Sequence, residues 1–339
     1  MLKNILGLLL LVLIFACQPN PEEAAYTRPT VEPLAEPVKI MRLERQLFEA
    51  QSPDDIKSFL QKNRHFAQNF LMSGQYPSDS VLAAQMYAII QNPGLDSMYL
   101  QAQKQFADLS HWENELSQAF ATIKHYWPGF NVPKVVTTVS GLGAMGNEYA
   151  LTDSLLVISL DYFLGPEASY RPSFPEYILE RFAPEYVVPQ AMVLLSTRFN
   201  KVNGADNTLL GDMIYYGKSY YFAKFLLPNT PDSLITGYTA EEQAGVAYNQ
   251  ERIWGHFLEE ELLYTTKDEE KRRYLSERPK VPEIGDKAPG RVGYWLGWEI
   301  VKAYMREHEN TNLKTLMEND NARKLLGEAK FVPKNRREE

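Results

Sequence analysis

The sequence predicts an α+β fold that is mostly α-helical and contains a small β-sheet. Apolar residues recur three or four positions apart through most of residues 38–131, which is the period of a helix with one buried face. Between 132 and 164 the period shortens to about two, as in strands. Helical patterns then return and continue to about residue 326, so the sheet is expected to be small.

The N-terminus predicts a secretory signal over residues 1–16. Its apolar run, 5–16, follows a lysine and is too short for an ordinary membrane-spanning helix. Residues 14–17 (Ile-Phe-Ala-Cys) resemble a bacterial lipobox, although Phe15 stands where a small residue is usual. We predict cleavage before Cys17 and its modification with fatty acyl chains such as palmitate, which would anchor the protein to a membrane. An uncleaved anchor helix is the alternative.

The rest of the chain divides by composition. Residues 18–37 contain five prolines and no apolar period, so they predict an extended tether. The predicted organisation is a signal peptide (1–16), a lipidated cysteine with its tether (17–37), a helical N-terminal part (38–131), a part with a sheet and helices (132–331) and a flexible tail (332–339).

Residues 38–131 are predicted to be wholly helical. After Val38, the residues Ile40, Leu43 and Leu47 recur at helical spacing. Ser52 and Ser78 each stand just before acidic residues, as helix N-caps do. One predicted helix begins at Val38. The others cover residues 53–70, 79–90 and 95–127.

Two or three strands are predicted within 132–164, joined by glycine-rich hairpin turns over 141–146. These glycines are not typical of a phosphate-binding loop, because no Lys-Ser/Thr follows them and a strand comes next. Thr239 begins a capping-box pattern with Glu242. The later predicted helices cover 187–200, 207–227, 240–260, 291–304 and, as one or two short helices, 312–326.

Charge and residue types exclude several kinds of site. The net charge of −8 and the lack of long basic runs disfavour nucleic acid binding. A thermolysin-like zinc site needs two histidines one helical turn apart and a later glutamate. The helix predicted over 187–200 contains no histidine, and Tyr216-Gly217 stands where that glutamate would be sought. The five histidines stand singly and are His65, His111, His125, His256 and His308. We therefore expect neither a bound metal nor a cofactor.

Two groups of side chains are candidates for a groove. Asp161, at the end of a predicted strand, is expected either to enter a cleft with Tyr162 or to cap loop amides. Tyr216 and Tyr220 share one helix face, because they lie four positions apart, and they could line a groove or pack against another helix. The cations Arg171, Lys218 and Arg291 are expected to pair with Asp161, Glu176 or Glu180.

Several segments together resemble the gliding-motility-associated lipoprotein B family. They are 158–165, 177–178, 181–182, 209–222, 253–254, 289–293 and 297–298. The resemblance implies a zincin-like peptidase fold that has lost its metal-binding motif, and a role in the envelope machinery for gliding and type IX secretion. It supplies no catalytic residue.

The leading hypothesis is a non-catalytic lipoprotein of the cell envelope, on a periplasmic face or on the outer membrane. It would support gliding and secretion as a structural or assembly factor that contacts other envelope proteins. Its expected partner site is the groove that contains Asp161, Tyr162, Tyr216, Tyr220 and Arg291. The alternatives are an envelope hydrolase, with Asp161 or Glu251 as acid or base, and a solute-binding lipoprotein.

Overall fold

The computed structural model describes Tyr26 and residues 28–334 of the chain. Helices form most of this part, and a four-stranded sheet accompanies them, which confirms the predicted α+β class. None of the helices in these residues is both long enough and apolar enough to cross a bilayer. The predicted signal, Cys17 and the last five residues of the predicted tail lie outside the described residues. The zincin-like character of the fold stays a prediction.

Two of the N-terminal helices begin where the capping signals at Ser52 and Ser78 predicted. The hydroxyl of Ser52 accepts a hydrogen bond from the backbone N–H of Asp55 (3.2 Å), and Ser78 accepts one from Val81 (3.3 Å). The helices are α1 (Leu43–Phe48), α2 (Pro53–Lys62), α3 (Arg64–Asn69), α4 (Asp79–Ile90), α5 (Pro93–Gln105) and α6 (Ser110–Tyr126). Two predicted long helices are each divided, because Asn63 and Phe106 have non-helical backbone angles.

The helix predicted from Val38 was wrong over its first residues. Ile40–Arg42 form strand β1, which pairs in parallel with β2 (Lys134–Thr138). The side chain of Glu113, on α6, accepts a hydrogen bond from the backbone N–H of Ile40 at 3.0 Å. A partner strand more than 90 residues away therefore overrides the local helical period.

The sheet has the order β1-β2-β4-β3, with β3 at Tyr149–Thr152 and β4 at Leu155–Ser159. Strand β4 pairs in parallel with β2 and antiparallel with β3. We predicted that the glycine-rich segment 141–146 forms hairpin turns, and this was wrong. The segment instead crosses from β2 past β4 to β3 at the edge of the sheet. Gly141 and Gly143 have positive φ angles of 70° and 107°, which suit this irregular crossing.

The second half of the described chain is again helical. Its helices are α7 (Glu176–Leu179), α8 (Val187–Ser196), α9 (Leu209–Leu226), α10 (Asp232–Thr236), α11 (Ala240–Tyr248), α12 (Gln250–Glu259), α13 (Asp268–Leu275), α14 (Val292–Glu307), α15 (Leu313–Glu318) and α16 (Ala322–Ala329). The predicted capping box between Thr239 and Glu242 is present. The helix predicted over 240–260 is interrupted at Asn249, whose backbone leaves the helical region.

Helices α9 and α14 approach each other closely at two glycines. A Cβ atom on Gly297 would overlap the carbonyl of Met213, and one on Gly217 would overlap the backbone of Gly297. Trp295 and Trp298 of α14 are fully buried. The core of this half thus depends on backbone contact that only glycine permits.

Lys218, on α9, is buried with its amine directed at backbone carbonyls. Its Nζ donates to the carbonyl oxygens of Lys201 (2.9 Å), Met317 (3.3 Å) and Asn319 (2.7 Å). It therefore does not pair with any of the carboxylates we predicted, because α9 delivers it to the loops around α15. Burial lowers its pKa to about 8.

The end of the predicted tether packs on the body. Tyr26 is buried, stacks on Tyr221 of α9 with ring centroids 4.8 Å apart, and accepts a hydrogen bond from Trp298 Nε1 at 3.0 Å. Arg28 donates to the carbonyl oxygens of Phe225 (2.7 Å) and Lys224 (3.1 Å). These carbonyls lie in the last turn of α9, where a cation is favoured. The part of the predicted tether that the structure describes therefore contacts the body through Tyr26 and Arg28.

We expect Gly297→Ala to destabilise the protein by about 3 kcal/mol, because the new methyl group forces α9 and α14 apart. Gly245→Ala is the matched control. No atom lies within 4 Å of the Cβ position at Gly245, which is inside helix α11. There the change should be neutral or stabilise by up to ~1 kcal/mol. Urea unfolding measures both values, and equal effects would contradict the close-packing account.

We expect the buried amine of Lys218 to make stability rise with pH. Its pKa is about 8 in the folded chain against an ordinary value of 10.5, so between these values the unfolded chain binds more protons. Between pH 7 and 9.5, the unfolding free energy should rise by about 2 kcal/mol relative to that of Lys218→Met. Parallel pH profiles for the two proteins would disprove the lowered pKa.

Candidate functional site

A groove of about 860 Å³ opens beside helices α8, α9 and α14 and is the candidate site. The start of β3, the segment between β4 and α8, and the chain after α13 complete its walls. We call it the aromatic groove, because eight aromatic residues line it; they are Tyr149, Phe163, Phe174, Phe182, Tyr215, Tyr216, Tyr220 and Tyr294. Its volume lies in the range of about 300–1,000 Å³ that is usual for ligand sites.

The tyrosines form one wall of the aromatic groove through contacts between α9 and α14. The rings of Tyr216 and Tyr294 stack with centroids 3.5 Å apart, and Tyr220 meets Tyr294 edge-on at 6.3 Å. Burial, and then hydrogen bonding with Tyr216, raise the pKa of Tyr294. The Tyr294 phenol is therefore neutral at physiological pH, and the wall can offer ring faces and hydroxyl groups to a ligand.

Two arginines share one carboxylate at the groove. Glu277 Oε1 forms ion pairs with Arg181 Nη2 at 2.7 Å and with Arg291 Nε at 3.0 Å. Burial and the neighbouring Arg291 lower the pKa of Arg181, which is the expected result of two cations held close together.

Arg291 also has a structural role. Its Nη1 donates to the carbonyl oxygen of Thr236 (2.9 Å) and to the Tyr220 hydroxyl (3.2 Å), while Nη2 donates to the carbonyl oxygen of Gly237 (3.2 Å). Arg291 itself precedes α14 with a positive φ of 56°. Its guanidinium thus ties the start of α14 to the end of α10 and to α9.

Three of the five predicted groove residues line the aromatic groove: Tyr216, Tyr220 and Arg291. Asp161 and Tyr162 do not. Asp161 is buried and accepts hydrogen bonds from the backbone N–H groups of Ser140 (2.9 Å) and Leu142 (2.7 Å). Asp161 therefore caps loop amides, which was the second of our two predictions for this residue. It can do so because β2 and β4 pair in parallel, which places the C-terminal ends of the two strands side by side.

The other predicted ion pairs differ in outcome. Arg171 pairs with Glu176 at 3.2 Å, as expected. Arg291 pairs with Glu277, a residue that we did not single out, because Glu277 lies in an irregular segment whose pattern carries no signal of its position. Arg181 and Tyr294 were also missed as groove residues. Arg181 had been noted only within the segments that carry the resemblance.

The described residues contain no group of three His, Cys, Asp or Glu side chains that could hold a metal ion. Helix α8 buries Val187, Ala191, Met192 and Leu195 in the core. His256 contacts the Tyr274 hydroxyl at 2.8 Å, outside the groove walls. The relation to zinc peptidases stays a prediction from the resemblance.

Comparison with known families places these features in context. The family model described as gliding motility protein GldB matches residues 25–333, which is nearly all of the described chain. The chain belongs to this family. Membership implies involvement in gliding motility and agrees with a lipoprotein of the cell envelope. Neither the curated proteins nor the solved structures contain a match.

We expect Arg291→Lys to reduce the unfolding free energy by about 2 kcal/mol. An ammonium group cannot reach Thr236, Gly237 and Glu277 at once, so buried acceptors lose their donors. Arg171→Lys is the matched control, because its pair with Glu176 is at the surface and should change stability by less than about 0.5 kcal/mol. Denaturant unfolding compares the two, and a larger loss at Arg171 would refute the assignment.

Proposed function

We propose that this member of the family is a non-catalytic lipoprotein, anchored through Cys17, that supports gliding motility and the associated type IX secretion machinery. It acts as a structural or assembly factor, and the aromatic groove is where it contacts a partner. Family membership supports the link to gliding. The secretion link, the anchor and the absence of catalysis are parts of the proposal.

The observation that carries the non-catalytic role is that the candidate charged groups already have structural partners. Asp161 is bound to loop amides, and Glu277 is held between Arg181 and Arg291. General acid–base catalysis needs titratable groups that converge on a substrate. Glu251, the second carboxyl of the hydrolase alternative, lies on the exposed part of α12 and outside the groove walls.

The packed N-terminal segment defines the reach of the proposed anchor. Eight residues, 18–25, separate Cys17 from Tyr26. At full extension they cover roughly 30 Å. A lipid on Cys17 would therefore hold the Tyr26 side of the body, near the C-terminal end of α9, close to the membrane surface. The attachment of Tyr26 and Arg28 favours a body that is held near the lipid.

A strain that lacks this chain tests the proposal by complementation. We expect the wild-type gene to restore both colony spreading and protein secretion. Cys17→Ser should fail, because the protein is no longer anchored, whereas Glu251→Gln should restore both as wild type does. Immunoblots of membrane fractions control for protein level.

Two outcomes would contradict the proposal. Full function of Cys17→Ser would remove the need for the anchor. Loss of function in Glu251→Gln, or in Asp161→Asn, at a wild-type protein level would favour the hydrolase. Stoichiometric zinc in the purified full chain would likewise contradict the non-catalytic role.

A further inference from the structure

We infer that the Arg181 end of the aromatic groove binds the C-terminal carboxylate of an apolar peptide. The inference rests on the proposed function, since it names the chemistry of the partner that the groove would receive. Three observations support it: the charges of the side chains at this end of the groove, the hydrogen-bond donors of Arg181, and the residues that form the walls.

The charges at this end of the groove do not balance. Arg181 and Arg291 together carry two positive charges, and Glu277 supplies one negative charge between them. Glu148 and Asp212 are the other acidic residues of the walls, but neither forms an ion pair with these arginines, and Asp212 is paired with Lys271 at 2.6 Å. A second carboxylate would neutralise the remaining positive charge, which is costly to leave half-buried.

Arg181 has the donors to bind such a group. Within residues 28–334, Glu277 is the only carboxylate in ion-pair distance of Arg181, and its Oε1 lies 2.7 Å from Nη2. No other described residue accepts a hydrogen bond from this guanidinium, and its side chain is 15% exposed. A planar guanidinium with a free edge matches a carboxylate with two parallel hydrogen bonds. Arg291, in contrast, is already held by Thr236 and Gly237.

The walls favour a peptide that carries this carboxylate. Phe174 and Phe182 stack at 5.4 Å, and Phe174 remains 44% exposed at the rim, so an apolar side chain would find aromatic faces to cover. Gln190 donates its Nε2 to the carbonyl oxygen of Leu234 at 3.3 Å, which leaves its own oxygen free to accept from a peptide N–H. A fatty acid would offer no donor to this oxygen.

Binding to the purified full chain tests the inference. One probe is an equimolar pool of N-acetylated tripeptides of alanine, leucine and phenylalanine with free carboxyl termini. The same pool as C-terminal amides, and palmitate, are the comparison probes. By calorimetry, we expect the acid pool to bind at least tenfold more tightly than the amide pool, a difference of about 1.4 kcal/mol.

Variants separate the groove from non-specific attraction. Arg181→Gln should lower the affinity for the acid pool to that for the amide pool, while Glu277→Gln should raise it, because a competing carboxylate is removed. Arg64→Gln, whose arginine pairs with Asp79 on α4, is the matched control and should bind as wild type does. Thermal unfolding confirms that each variant is folded.

The inference is overturned by equal binding of the acid and amide pools, by tighter binding of palmitate, or by no saturable binding of the acid pool at about 1 mM. An equal loss in Arg64→Gln would also overturn it. These results do not depend on motility. If the acid pool fails to bind while complementation behaves as expected, only the ligand assignment is wrong.

Discussion

The contact between helices α9 and α14 at Gly217 and Gly297 is the constraint on which the candidate site depends. Because neither glycine carries a side chain, the two backbones touch. Tyr216 then meets Tyr294, and their stacked rings become a wall of the aromatic groove. If α9 and α14 were farther apart, the rings of Tyr216 and Tyr294 would no longer stack. The same helix pair buries Trp298, whose indole binds Tyr26, so it also holds the N-terminal segment.

Three of the buried charged residues bind backbone groups. Lys218 gathers three carbonyl oxygens, Arg291 gathers two, and Asp161 accepts from two amides. A buried charge is tolerated only when such partners offset its lost hydration. These groups therefore join loops and helix ends. Arg181 also lines the aromatic groove, but it donates to no backbone carbonyl of the described residues.

The family and the structure answer different questions about this chain. Membership in the gliding motility family supplies the biological setting, and it covers both the helical N-terminal part and the groove. The structure supplies the aromatic groove, which is where we propose that a partner binds. It also shows that the chain from Tyr26 onward is attached to the body, so an anchor at Cys17 would restrict how the groove can face the membrane.

The sequence by itself determined the α+β class, the helix starts at Ser52, Ser78 and Thr239, and the placement of Tyr216 and Tyr220 on one helix face. These features depend on residues a few positions apart, so local spacing is enough to predict them. Tertiary structure alone decided that Ile40 joins a strand and that Glu277 meets Arg181 and Arg291. Such contacts depend on how distant segments pack, and nothing in the spacing of one segment records where its partner will lie.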